Sequence, residues 1–160
     1  MDQQEWTQIF QNQIAVLRNN GHTWNLEFDD TILPNSPKLG WETYIRNTSA
    51  RFSCTSCRRS WPSNRVMVIF HMHLMDGQGT VKVRRLRQAC NRCDNAPMVK
   101  PRVESDNIQI LMENLVEKIR IKCYHENLGQ KKRQNKAFDV KNPHEPDHCE
   151  GCKLGICTRE

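Results

Sequence analysis

The sequence predicts a small α+β domain whose lean core is supplemented by metal-bound thiolates, and three observations predict it. Val66, Val68, Phe70, Met72 and Leu74 alternate over nine residues, as in a strand with one buried face. Ile108, Leu111, Met112, Leu115 and Ile119 recur at three- and four-residue spacing, as in an amphipathic helix. Three CxxC pairs, Cys54–Cys57, Cys90–Cys93 and Cys149–Cys152, are spread through 160 residues. The expected architecture is a long antiparallel β-hairpin or small sheet, zinc knuckles at its open end, and flanking helices.

The elements follow in chain order. Trp6, Ile9, Phe10, Ile14 and Leu17 mark a helix over Glu5 to Arg18, stopped by Asn19-Asn20-Gly21. Trp24, Leu26 and Phe28 alternate as in a half-buried strand, Pro34 to Pro37 is a loop, and Leu39 to Arg46 reads as a short helical turn. On the strand after Val66, Met67, Ile69, His71 and His73 take the second face. Asp76-Gly77-Gln78-Gly79 is a turn, and Thr80 to Gln88 is the return strand of a hairpin. There Val81 and Val83 face one way, and Lys82, Arg84 and Leu86 the other. Ser105 caps the second helix, which frays at Leu128-Gly129. Gln130 to Pro146 is polar, basic and without periodicity, so it reads as a linker or loop. The expected organisation is an N-terminal helix and strand over 1–50, packed on a zinc-finger domain over 51–160 that carries a basic flexible loop near 129–143.

Hydrophobic residues make up 37% of the chain and charged residues 26%, a composition that folds but benefits from a cross-link. Eight cysteines offer one. The first twenty residues lack the apolar run and cleavage-like site of a secretory signal, and no stretch reaches the roughly 20 apolar residues that span a bilayer. A cytoplasmic chain keeps its thiols reduced, so paired cysteines point to metal rather than disulfides.

A two-residue spacing lets one tight knuckle present both sulfurs to one ion, at about 2.3 Å each. One CxxC is weak evidence because redox dithiols share it. Three are strong evidence, and none follows a thioredoxin-like βαβ pattern. An antiparallel hairpin brings its two ends together, so Cys54, Cys57, Cys90 and Cys93 form one four-thiolate zinc site. The third pair then needs two more ligands for a second ion, with His144, His148, Cys157, His71, His73 and Cys123 as candidates. From Ser63 to His71 is eight residues of strand, about 26 Å, which keeps His71 from the first ion.

The charge is uneven. Residues 51–102 carry eleven basic against two acidic side chains, a net of +9, whereas residues 1–50 carry −3. Arg58, Arg59, Lys82, Arg84, Arg85 and Arg87 are candidate phosphate contacts, with Trp61 and Phe52 as candidate stacking platforms for unpaired bases. These residues support an RNA-binding surface, against the simpler reading of a solvated sheet face and ordinary core aromatics. No HExxH or HxE…PCxxC pattern, nucleophile–base pair or phosphate-cradling glycine loop occurs, so no catalytic residue is assigned and the chain is read as non-enzymatic.

The run Arg51-Phe-Ser-Cys-Thr-Ser-Cys-Arg-Arg-Ser-Trp61, the strand Val66-Met-Val-Ile-Phe-His-Met72 and the later Pro143-His-Glu-Pro-Asp-His-Cys-Glu-Gly-Cys152 together resemble the receptor-transporting protein family and its three-CxxC zinc finger. The Glu5-Trp6 helix and Gly40-Trp41 resemble its N-terminal part. The resemblance implies zinc on the six CxxC cysteines, with His71 and His144 completing the second site. It implies an accessory protein that promotes folding and cell-surface trafficking of G-protein-coupled receptors, with membrane association through a C-terminal anchor that the sequence does not include. The alternative it implies is an interferon-induced antiviral protein that binds viral or single-stranded RNA, here through the basic hairpin.

Overall fold

The computed structural model of the protein describes residues 2–128 and 133–157. Helix α1 (Asp2–Ile14) leads into β1 (Thr23–Phe28), β2 (Glu42–Ser53), β3 (Ser60–Met75) and β4 (Gln78–Arg85), followed by α2 (Ser105–Tyr124) and the short α3 (Glu150–Lys153). The strands form one mixed sheet in the order β1-β4-β3-β2; β1 runs parallel to β4, and the other neighbours are antiparallel.

The alternation along β3 divides the molecule into layers. Val66, Val68, Phe70 and Met72 are buried on the face that meets Trp6, Phe10 and Ile14 of α1 and Ile108, Leu111, Met112, Leu115 and Ile119 of α2. Met67 and Ile69 point to the other face, where Ile32 and Leu86 join them and Leu154, Ile156 and Cys157 pack on top. The central strand is therefore covered on both sides, by two helices on one and by the C-terminal tail on the other. Burying side chains the size of Trp6 or Phe10 contributes about 2–3 kcal/mol each.

The Met75–Gln78 connection is a two-residue hairpin turn, with Asp76 at φ 53° and Gly77 at φ 77°. Positive φ at both positions matches the right-handed twist of the strands, which explains the Asp-Gly pair. The strand resumes at Gln78, so Gly79 lies in β4 rather than in the turn. A Cβ on Gly79 would come within 2.1 Å of the Trp24 ring, its neighbour across the β1–β4 pairing.

Other local expectations change as well: β4 ends at Arg85 rather than Gln88, and α2 at Tyr124, with His125 in the left-handed region, rather than at Leu128-Gly129. Leu39 to Arg46 does not form a helical turn: from Glu42 the chain is strand, because β3 offers a free edge and Tyr44 stacks on its partner Phe70 at 5.9 Å. The first α-helix ends at Ile14, and a 3-10 segment continues to Asn20. Ser105 is the first residue of α2 rather than its cap; its hydroxyl donates instead to Glu5 Oε2 at 2.6 Å and ties the two helices together.

Candidate metal centres

The first cluster sits at the open end of the hairpin. Cys54 N–H donates to the Arg59 carbonyl and Arg58 N–H to the Cys54 carbonyl, closing a knuckle in which Arg58 takes a left-handed conformation, φ 60°. Ser56 N–H points at Cys54 Sγ, 3.4 Å away. The second knuckle follows β4. Cys54 Sγ lies 3.8 Å from Cys93 Sγ, and Cys57 Sγ lies 3.8 Å from Cys90 Sγ. Four sulfurs at about 2.3 Å from one zinc ion stand about 3.8 Å apart along each tetrahedral edge, so the spacing fits the ion. All four ligand atoms lie within 4.8 Å of one another. The donor chemistry also calls for a cation. Burial raises the Cys90 thiol, but the Arg92 N–H and the Arg59 guanidinium outweigh it and bring the group down to about 6. Hydrogen bonding to Cys57 and burial push Cys93 up to about 12. The four sulfurs cannot all ionise side by side without positive charge between them.

The second cluster joins His144, Cys149, Cys152 and Cys157, again with all ligand atoms within 4.8 Å. His144 Nε2 is 3.3 Å from Cys152 Sγ and 3.6 Å from Cys157 Sγ, close to the roughly 3.6 Å edge between nitrogen and sulfur in a tetrahedral zinc site. Cys149 caps α3, accepting from Cys152 N–H. Gly155, at φ 74°, turns the tail back so that Cys157 returns to the cluster. A hydrogen bond from Cys157 lowers the Cys149 thiol to about 5 against its burial, while Cys157 itself is raised. The two clusters fit two zinc ions, each with four donors.

The zinc-binding domain family of three-CxxC zinc ribbons matches residues 47–155. Receptor-transporting protein 2 of Mus musculus is 32% identical over 155 residues, covering 95% of this chain and 69% of its own. The chain belongs to the receptor-transporting protein family. Receptor-transporting protein 3 of Mus musculus is 38% identical over 162 aligned positions, 99% of this chain but 34% of that protein. Human receptor-transporting protein 4 is 31% identical, over 95% of this chain and 63% of its own. The chain thus spans about a third to two thirds of these relatives' length. No solved structure matches it.

In this family member His71 does not join the second cluster. The sheet face was legible from the sequence, since His71 lies on the Met67 side of β3, but the position along the strand is wrong. The C-terminal knuckle seats on Met67, where a Cβ on Gly151 would meet Met67 Cγ at 3.3 Å. His71 is four residues further on, about 13 Å of strand. It is 5% exposed, and its Nε2 pairs with the Leu33 carbonyl at 2.8 Å. Cys157 takes the fourth position. The signal for it was local: His144, Cys149, Cys152 and Cys157 fall within fourteen residues, and short loops cost the least closure entropy. His148 turns to Glu145 instead, His73 stacks on Trp41 at 5.0 Å, and Cys123 packs against the helix-side core.

The basic residues do not assemble into one surface. Arg85 faces the helices, 4% exposed, paired with Asp2 and lying over the Phe28 ring. Arg84 is buried on the opposite face, donating to the Ile32 carbonyl and to Glu150. Arg87 binds the same Glu150 through its backbone N–H and guanidinium. Lys82 pairs with Asp29 at 3.7 Å. Trp61 is half-buried, stacked on Phe52 at 5.6 Å, with the Arg59 guanidinium 4.9 Å from its ring centroid; Phe52 itself is core. Arg58 remains exposed. The expected phosphate-binding face is corrected accordingly: alternation along β4 sends Arg84 and Arg85 to opposite sides, and each is consumed by internal partners.

Proposed function

We propose that this protein is a non-catalytic zinc-binding accessory factor that promotes folding and cell-surface trafficking of G-protein-coupled receptors. The observation that carries this reading is the closure of both clusters. Cys54, Cys57, Cys90 and Cys93, and His144, Cys149, Cys152 and Cys157, each supply four protein donors, the pattern of structural zinc, whereas a catalytic zinc keeps a position for substrate. The first ion cross-links the Cys54–Cys57 and Cys90–Cys93 knuckles across the hairpin, the second closes the local loop from His144 to Cys157, and both supply folding energy to a lean domain. The names of the relatives supply the receptor-transport role. The segment 1–50 serves as an N-terminal helix and strand packed on the 51–160 zinc-finger unit; the α1–α2 contact supports the packing, while β2 runs through residue 50 and joins the two in one sheet. No helix among the described residues is long and apolar enough to cross a membrane. The proposed setting is the cytoplasmic face of a membrane.

Co-expression with a G-protein-coupled receptor tests the role. Surface labelling of the receptor should rise with the wild-type chain and fall to the level of receptor alone with the Cys54→Ser/Cys57→Ser pair. Equal surface delivery with both versions would reject a zinc-organised accessory role.

A further inference from the structure

Three asparagines hold one extended stretch of the chain by its backbone. Asn114 accepts from Arg133 N–H at 3.1 Å and donates to the Arg133 carbonyl at 2.9 Å. Asn107 does the same for residue 136, at 2.7 and 3.1 Å, and Asn64 for residue 138, at 2.8 Å in both bonds. Each amide side chain thus imitates a strand neighbour, reading N–H and C=O of one residue together. The spacing is commensurate: Asn107 and Asn114 are seven residues apart on α2, about 10.5 Å, and residues 133 and 136 span about 10 Å when extended. Asn107 and Asn114 are 2% and 4% exposed, so the ladder is built into the core. The strap itself is different. Arg133, Gln134, Lys136 and Ala137 are exposed, and a cavity of about 550 Å³ opens beside it, lined by Gln134, Asn135 and Ala137 as well as by Trp61, Arg65 and Gln88. Main-chain bonds hold residues 133, 136 and 138 in place, and between them the half-buried Asn135 donates from its side chain to Ser49 Oγ at 2.7 Å.

Such a groove accepts any chain with matching backbone, and the charges around it narrow the choice. Glu113 pairs with Arg133 at 2.7 Å, Asp106 with Lys136 at 2.9 Å, and Arg51 lies over the Phe138 ring at 4.7 Å. The groove therefore fits an extended segment with basic residues three apart and an aromatic two further on. We propose that the Asn64–Asn107–Asn114 ladder is a peptide-binding groove, occupied in cis by residues 133–138, that takes an extended basic segment of a client membrane protein in trans. Cytoplasmic loops of membrane proteins carry an excess of Lys and Arg, which supplies this chemistry at the membrane face. The client assignment rests on the receptor-transport reading; the groove does not.

The probe is a fluorescent peptide of residues 130–141, titrated into the zinc-loaded full chain and followed by anisotropy. The Arg133→Glu/Lys136→Glu chain weakens the strap at exposed positions and leaves the groove intact. It should bind the peptide about tenfold more tightly than wild type, the scale of two ion pairs lost from the competing strap. The Asp106→Lys/Glu113→Lys chain, whose own strap is repelled at the same positions, should refuse the basic peptide and bind a peptide carrying Glu at 133 and 136. Combining all four substitutions pairs strap and groove again, and should return acidic-peptide binding to the weak level of wild type with the basic one. All four substitutions are on the surface, so zinc content and circular dichroism should match wild type. No saturable binding by the Arg133→Glu/Lys136→Glu chain, or binding indifferent to Asp106→Lys and Glu113→Lys, would reduce the ladder to a structural fastening and overturn the groove. Concentration-dependent dimerisation of the strap-weakened chain would assign the groove to a second copy and overturn the client. Receptor surface labelling separates the two claims. Peptide binding that obeys the charge swap, beside receptor delivery unchanged by Asp106→Lys/Glu113→Lys in an otherwise active chain, would keep the groove and overturn its client.

Discussion

Gln88 and Cys149 face each other across an isolated antiparallel bridge, and this places the two metal centres on one piece of backbone. Gln88 stands two residues before Cys90 of the first cluster, and Cys149 is a donor of the second. Ala89 N–H donates to the His148 carbonyl at 2.8 Å and Glu150 N–H to the Arg87 carbonyl at 2.9 Å, so the segment that leads into the first cluster is also the docking strand of the second. Filling one site orders the backbone that the other needs.

Zinc binding at the two sites should therefore be coupled. In the Cys149→Ser chain, chelator competition should show weaker zinc affinity at Cys54, Cys57, Cys90 and Cys93, by a factor within the roughly 5- to 150-fold range of ordinary site coupling. By reciprocity Cys54→Ser should weaken the second site equally. First-site affinity unchanged in the Cys149→Ser chain would make the centres independent.

Metal analysis should return two zinc ions per chain. Cys157→Ser and His144→Ala should each lower this to about one, with the first site still filled. His71→Ala should retain both ions, because its imidazole holds the Leu33 carbonyl rather than the C-terminal knuckle. A loss of zinc on His71→Ala alone would reverse the ligand assignment.

The buried arginines should behave as structural residues. Arg85→Ala removes a guanidinium that covers Phe28 and pairs with Asp2, and should lower stability by about 2 kcal/mol, read from urea midpoints. Zinc-loaded Arg84→Ala and Arg85→Ala chains should show no change in the salt slope of RNA binding. A slope shallower by about one per arginine would return these side chains to a phosphate surface.

His71 should make the fold sensitive to mild acid. Burial lowers its pKa below the ordinary 6.5, partly offset by its bond to the Leu33 carbonyl. Below pH 6.5 the unfolded chain then binds a proton that the folded chain resists, so stability falls as pH drops from 6.5 toward the folded pKa and is unaffected above pH 6.5. Because acid also releases zinc, the informative quantity is the difference from His71→Gln. The two unfolding curves should keep a constant offset above pH 6.5, and the offset should change below it in favour of the variant. A constant offset down to pH 5 would mean that His71 charges freely in the fold.

Gly79→Ala should be costly despite its small size. The new methyl would enter the Trp24 ring, and neither strand can withdraw without breaking the β1–β4 pairing. A loss of about 1–3 kcal/mol is expected from overpacking, measured by chemical unfolding. An unchanged midpoint would show that Trp24 has room to swing aside.

By itself the sequence determined what short-range periodicity and ligand chemistry dictate. Val66 to Leu74 read as a strand with Phe70 and Met72 on one face and Ile69 and His71 on the other, because a period of two assigns every side chain to a face. Ile108 to Ile119 could only be a helix. The hairpin brought Cys54, Cys57, Cys90 and Cys93 together because antiparallel strands return to their origin. Pairing between distant segments belonged to the tertiary structure. Tyr44 became a strand residue because the edge of β3 was open beside it, and Arg84 and Arg85 lost their apparent surface role because Glu150 and Asp2 arrived from opposite ends of the chain. The fourth ligand of the second centre turned on distance along one strand. The alternation placed His71 on the correct face, but where the tail would land on that face was decided by the pairing of Gln88 with Cys149 and the seating of Gly151 on Met67, contacts that carry no periodic signature.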